Sequence, residues 1–180
     1  MTAVSKLAFH LRPTMLSDLD FVISVEEDRT NQPFITRWDR TQHESAVRFP
    51  DFRHFIVEAG DPLVRAGFVI LQGCRNAQRS VELKRVVLQP KGQGLGRACV
   101  RRLKAMAFRD LKVHRFWLDV KSLNTRALAL YASEGFVEEG RLREAVRVAD
   151  GYDTLVVMSM LDREYEARVA MELERDLAAG

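Results

Sequence analysis

Cysteine is scarce in this chain: there are two, Cys74 and Cys99, with no CxxC or Cys/His spacing around them. That excludes a disulfide framework and a local zinc motif, and it fits a reducing compartment. The four histidines, His10, His43, His54 and His114, are scattered as well, so no metal site is expected. Long apolar runs are missing. No uncharged stretch approaches the roughly 18 to 20 residues that span a bilayer, and the N-terminal MTAVSKLAFHLRP has no apolar h-region. A cytoplasmic protein without membrane contact is expected. Nor does one sign of charge dominate: 28 Lys and Arg stand against 25 Asp and Glu, interleaved, for a net charge of +3. Such a balance does not demand a nucleic-acid partner and serves a small polyanionic ligand equally well.

Internal repeats, low-complexity tracts and Pro/Gly/Ser linkers are also lacking, so the chain reads as one domain over residues 1–162 with a charged helix or tail over 163–180. What is present suits a folded core. With 180 residues, 47% hydrophobic and 29% charged, the chain should bury roughly 70% of its unfolded surface without disulfide or metal.

Residues 7–12 (LAFHLR) alternate as a strand that Pro13 stops, and Ser17 caps a helix over about 18–27. Thr41 and Glu44 form a capping-box pattern for a second short helix, leaving the polar, aromatic DRTNQPFITRWD as the loop between. HFIVE, VRAGFVIL and SVELKRVVL then read as three strands of an antiparallel meander. A helix follows to about Asp110, RFWLDV is a buried strand, and NTRALALYASEG is a helix closed by Gly135. A hairpin turning at ADGYD and a charged helix from Asp162 end the chain. The order is that of a mixed α/β fold.

Residues 91–98, KGQGLGRA, place Gly92, Gly94 and Gly96 at a helix start, where several NH groups can face one anion. A tight corner would look the same. A Walker loop needs Lys and Ser or Thr after the last glycine, and here Arg97 and Ala98 follow Gly96. The dinucleotide fingerprint belongs to a first βα turn, whereas this loop is mid-chain after a meander. In the preceding strand, apolar residues at Val81 and Leu83 resume at Val86 and Leu88, a phase slip at Lys84 and Arg85 that a β-bulge would repair. Alternatively Arg85 sits at a solvated edge. Asn124 and Tyr131, seven residues apart at about 100° each, share one helix face; alone, they read equally as an N-cap and a core aromatic.

The combination of glycine loop, WLDV strand and NTRALALYASEGF resembles the GNAT superfamily of acyl-CoA-dependent N-acetyltransferases over residues 81–137, and LYASEGF with EEGRLREAVRVADGYDTLVVMSML is similar to its Rim type. That type groups ribosomal-protein-alanine, polyamine and amino-sugar acetyltransferases. The resemblance implies a central mixed, mostly antiparallel sheet with splayed parallel strands in the middle, flanked by helices. It also implies acetyl-CoA as cosubstrate and direct attack by a primary amine without metal. Lys91, Gly94 and Gly96 occupy the family's pyrophosphate positions, with Lys91 in place of the usual Arg or Gln; Gly92, Gln93, Leu95 and Arg97 complete the cradle. By the same resemblance, Val86, Val87 and Leu88 run beside the pantetheine arm and an NH near Val86 stabilises the oxyanion. Asn124 bonds the cofactor arm, and Tyr131 protonates the departing thiolate. Glu82, just before the slip, is the candidate base for an acceptor that is mostly protonated at neutral pH; a solvated cross-strand carboxylate is the other reading.

The acceptor pocket is expected from the first two helices and their loop, where Glu26, Glu27, Asp28, Asn31, Phe34 and Trp38 are available; Glu27, Asn31 and Trp38 are the chosen contacts. Polyamine, peptide N-terminus, amino sugar and small drug-like amine all fit. A catalytically silent CoA-binding regulatory module is the competing reading. A basic nucleic-acid-binding domain would rest on Arg97, Arg101, Arg102 and Lys104, which fall on more than one helical face. The last helix packs on the sheet or on a second subunit, the latter making a homodimer.

Overall fold

Strand periodicity builds a seven-stranded sheet in the computed structural model, which describes residues 8–89, 91–92 and 94–179. The strands are β1 (Phe9–Pro13), β2 (Phe52–Ala59), β3 (Val64–Gln72), β4 (Ser80–Leu88), β5 (Arg115–Lys121), β6 (Val137–Val148) and β7 (Gly151–Leu161). Their order is β1-β2-β3-β4-β5-β7-β6, and every neighbouring pair is antiparallel except β4 with β5. β1 runs through Pro13 rather than stopping before it. It lies at the sheet edge, where the missing NH of proline costs no ladder bond.

Among the described residues, five α-helices flank the sheet: α1 (Leu19–Glu27), α2 (Arg40–Arg48), α3 (Leu95–Ala105), α4 (Thr125–Ser133) and α5 (Asp162–Ala179). The cap of α2 differs from expectation. Asp39, not Thr41, accepts from the Gln42 amide at 2.8 Å, and Gln42 Oε1 accepts from the Asp39 amide at 2.9 Å. The stronger Asp cap, two residues upstream, adds the helical residues that Thr41 would have left outside. Past Ala105, α3 widens into a π-turn over Met106–Asp110, with the Leu111 amide donating to Met106 O at 2.9 Å. This widening turns Phe108 onto Tyr165 of α5, ring centroids 4.8 Å apart.

The sheet is apolar on both faces. On one, Val81, Leu83, Phe116 and Leu118 pack under Leu95, Cys99, Val100 and Leu103 of α3. On the other, Leu19, Val22 and Val25 of α1 cover Ile56, Phe68, Ile70 and Val87. Each such Leu, Ile or Phe contributes about 1.5–3 kcal/mol on burial. Among the described residues no helix is long and apolar enough to cross a membrane.

Candidate active site

Two irregularities of β4 shape the centre of the sheet. Ile70 of β3 faces Arg85 while its neighbour Leu71 faces Leu83, so Lys84 is the extra residue of a bulge. The bulge resolves the apolar slip: Leu83 before it and Val86 and Leu88 after it all pack on the α3 face. Pairing of β4 with β5 covers only Ser80, Val81 and Glu82 against Arg115, Phe116 and Trp117. Beyond Glu82 the two parallel strands part, β4 following β3 to Leu88 and β5 following β7 to Lys121. The β4 edge from Leu83 to Leu88 therefore faces a wedge with its main-chain groups unpaired on that side.

The glycine loop stands at the wide end of this wedge. Gly92 and Gly94 take φ of +93° and +79°, and a Cβ on either would meet nothing within 4 Å. Their backbone conformation, not crowding, requires glycine. Gly94 is the N-cap of α3, and no side chain caps the free NH groups of its first turn. Gly96 serves packing instead, its Cβ position lying 3.6 Å from Leu130 of α4. Gln93 lies outside the described residues.

The remaining expected cofactor residues divide in two. Val87 and Leu95 are buried in the core, so only their main chains are open to a ligand. Arg97 donates to Ser133 Oγ at 3.0 Å and to Glu134 Oε1 at 2.6 Å. Lys91 reaches away from the loop, donating to Thr30 O at 2.6 Å with its ammonium 5.6 Å from the Phe34 ring. Burial lowers its pKa, and Asp28 partly opposes that. Asn124 caps α4 by accepting from the Ala127 amide at 3.2 Å; its NH2 has no partner among the described residues. Tyr131, half-buried seven residues on, meets Phe136 edge-on at 5.6 Å. Its hydroxyl makes no hydrogen bond to a described residue, and burial holds its pKa well above the ordinary phenol value.

Glu82 is buried where the strand pairing ends, 3.0 Å from Lys84 Nζ. It lines a 330 Å³ cavity with Asp51, Gln72, Arg75, Ser80 and Trp117. Alternation along β4 puts this cavity on the α1 face, opposite α3.

The expected acceptor residues lie on that same face, in and beside the loop joining α1 to α2. Glu27 is exposed, 3.6 Å from Arg37. Asn31 is buried and donates to Val25 O at 2.8 Å. Trp38 lies under the Arg85 guanidinium at 4.8 Å and packs on His43 and Phe52. The structure brings neither Asn31 nor Trp38 into the cavity that holds Glu82.

Two buried charge clusters escaped the sequence reading. Glu26, 1% exposed, accepts from Arg85, 8% exposed, which also donates to Thr36 O at 2.6 Å. Arg85 is thus no edge residue. The Trp38 amide adds a bond to Glu26 at 3.0 Å, and His43 Nε2 stands 3.5 Å from it. Burial pushes the Glu26 carboxyl up, but His43, Arg85 and the Trp38 amide together hold it below its ordinary value. Spacing could have found it: Leu19, Val22 and Glu26 share one helix stripe. On the other face, Arg97, Arg101 and Lys104 converge on Glu134, at 2.6, 3.1 and 3.0 Å. They stand at i, i+4 and i+7 of α3, one face, while Arg102 pairs with Asp110 at 3.7 Å.

From Glu26 the network continues through His43 Nδ1 to His54 Nε2 at 3.3 Å and from His54 Nδ1 to Thr14 Oγ1 at 2.8 Å. Burial, then the neighbouring His43, pushes His54 down to about 3 from 6.5. The unfolded chain takes up that proton near pH 6.5 and the folded chain only near 3. Stability is therefore complete above pH 6.5 and is lost as pH falls from there toward 3, at up to ~1.4 kcal/mol per pH unit. His54→Gln should flatten the fall in urea midpoint between pH 7 and 4; an unchanged slope would assign that sensitivity to other groups.

The acetyltransferase (GNAT) family model matches residues 19–136. The chain belongs to the GNAT family. It is an acetyl-CoA-dependent N-acetyltransferase acting on a primary amine, on the mixed sheet with splayed parallel strands that the resemblance implied. This GNAT chain is 28% identical to the spermidine N(1)-acetyltransferase of Vibrio cholerae, over 86% of its own length and 94% of the relative's. The Escherichia coli (strain K12) spermidine N(1)-acetyltransferase is 26% identical over 87% and 88%. The solved structure of the Vibrio cholerae spermidine N-acetyltransferase with CoA and spermine superposes with a TM-score of 0.77 at 26% identity, covering 87% of this chain and 97% of that one.

Proposed function

We propose that this enzyme acetylates a polyamine or a similarly polycationic primary amine, with CoA in the β4–β5 wedge and the acceptor in the cavity below it. The observation that carries this reading is the 330 Å³ cavity at the end of strand pairing, where Asp51, Glu82 and Trp117 come together. Two carboxylates and an indole suit an extended cation: the acids neutralise ammonium groups and the ring face attracts one. The relatives named for spermidine support the same class.

The pyrophosphate takes the free NH groups after Gly94, and the pantetheine pairs with the open β4 edge as a strand would. The thioester then lies near the bulge. Main-chain NH groups there, Val86 among them, face the oxygen on which charge develops. Glu82 draws the proton from the attacking ammonium, which competes with Lys84 for its carboxylate. The free amine attacks the carbonyl carbon, the C–S bond breaks, and Tyr131 gives its proton to the leaving sulfur while Asn124 holds the arm; the new amide nitrogen sheds its second proton to solvent, and solvent returns a proton to the Tyr131 phenolate.

A thiol-release assay over spermidine, spermine, a monoamine and a peptide N-terminus tests this. Polyamines should give the highest kcat/KM, and Glu82→Gln should lower it by about 10²-fold. A monoamine or peptide preferred over both polyamines would overturn the acceptor class. An unchanged kcat/KM in the folded variant would remove Glu82 from the role of base.

A further inference from the structure

The loop between α1 and α2 is held by side chains from both splayed strands. Arg85 of β4 donates to Thr36 O at 2.6 Å, and Lys121 of β5 donates to Pro33 O at 3.1 Å and Ile35 O at 3.5 Å. Both cations are buried, and each donates to main-chain carbonyls of one short loop segment, Arg85 with its other terminal nitrogen on Glu26. Burying a guanidinium and an ammonium to bond neutral carbonyls is costly for stability alone. Arg85 is compensated by Glu26, which also accepts from the Trp38 amide, so one carboxylate ties the end of α1, the end of the loop and the bulged strand.

We propose that Arg85 and Lys121 are positioning residues that latch the α1–α2 loop across the diverging strands and so set the affinity for the acceptor amine. β4 and β5 have no hydrogen-bonded pair beyond Glu82 and Trp117; the latch joins them instead through the loop. Residues 33–36 are fixed to both walls of the wedge on the face that carries the Glu82 cavity. Neither cation reaches the reacting atoms. They act through the position of the loop, and the inference rests on the reading that the acceptor approaches from the α1 face.

The effect belongs in KM for the amine. Lys121→Met keeps the length of the side chain and removes its donors, and Lys121→Arg restores donors. Glu26→Leu with Arg85→Met replaces the buried pair by apolar groups, a change that folded proteins often tolerate. With the best amine substrate of the unaltered enzyme, Lys121→Met and the double variant should each raise amine KM about ten-fold, the loss expected for charge-assisted hydrogen bonds. Both should keep kcat and KM for acetyl-CoA within about two-fold. Lys121→Arg should recover most of the loss. Melting temperatures accompany each assay, and if the double variant does not fold, Lys121→Met decides. An unchanged amine KM in folded Lys121→Met would overturn the latch, as would an equal rise in acetyl-CoA KM. Both outcomes are independent of which amine proves best.

Discussion

Replacing Tyr131 by phenylalanine lowers kcat by about 10²-fold or more and leaves the affinity for CoA unchanged. The ring survives the substitution, so the edge-on contact with Phe136 and the packing on the α3 side are kept. What disappears is a hydroxyl that no described protein group engages. Burial keeps it protonated across the neutral range, and the same dry surroundings make a departing thiolate harder to stabilise without a proton donor. Direct titration of CoA, with stopped-flow thiol release for the chemical step, separates the two quantities. Turnover unchanged in the variant would take Tyr131 out of the reaction.

Replacing Glu134 by leucine destabilises the fold by about 3–5 kcal/mol, the usual result of stripping a buried charge from its partners. Glu134 is 1% exposed and Lys104 is 4% exposed, and Lys104 also donates to Glu134 O at 2.7 Å. Burial pushes the Glu134 carboxyl up, yet Arg101, Lys104 and Arg97 together hold it below its ordinary value. From the side of Lys104, burial outweighs the carboxylate and lowers its pKa. Without Glu134 that ammonium keeps one carbonyl and only the more distant charge of Glu172. For a chain of this size the loss corresponds to a fall in Tm of roughly 10 °C. Calorimetry checks it, and a shift of a degree or two would show that the cluster is as weak as a surface ion pair.

The glycine loop, the phase slip and the N-cap of α4 were legible because each is written within a few consecutive residues. Positive φ at Gly92 and Gly94, the extra residue at Lys84 and the capping role of Asn124 all follow from local spacing. Clusters assembled across the sheet were not legible. Arg85 and Glu26 are brought together only when α1 lies down on β4, and the Glu82 cavity needs the turn before β2, the β3–β4 turn and a β5 indole to converge. A charged residue in an apolar stripe, such as Glu26 beside Leu19 and Val22, was the available signal for the first. For the cavity there was none, since Asp51 and Trp117 belong to segments whose own patterns say only turn and strand. The acceptor contacts expected from the sequence were Glu27, Asn31 and Trp38, and the structure engages their side chains with Arg37, Val25 and Arg85 respectively.

Amide hydrogen exchange with and without CoA tests most directly whether the wedge between β4 and β5 is the cofactor slot. CoA should slow exchange at the β4 amides from Leu83 to Leu88 and in the first turn of α3 after Gly94. Protection confined elsewhere, for example to the 410 Å³ cavity lined by Arg79, Phe108, Tyr165 and Leu173, with β4 unchanged, would rule out the wedge as the cofactor slot.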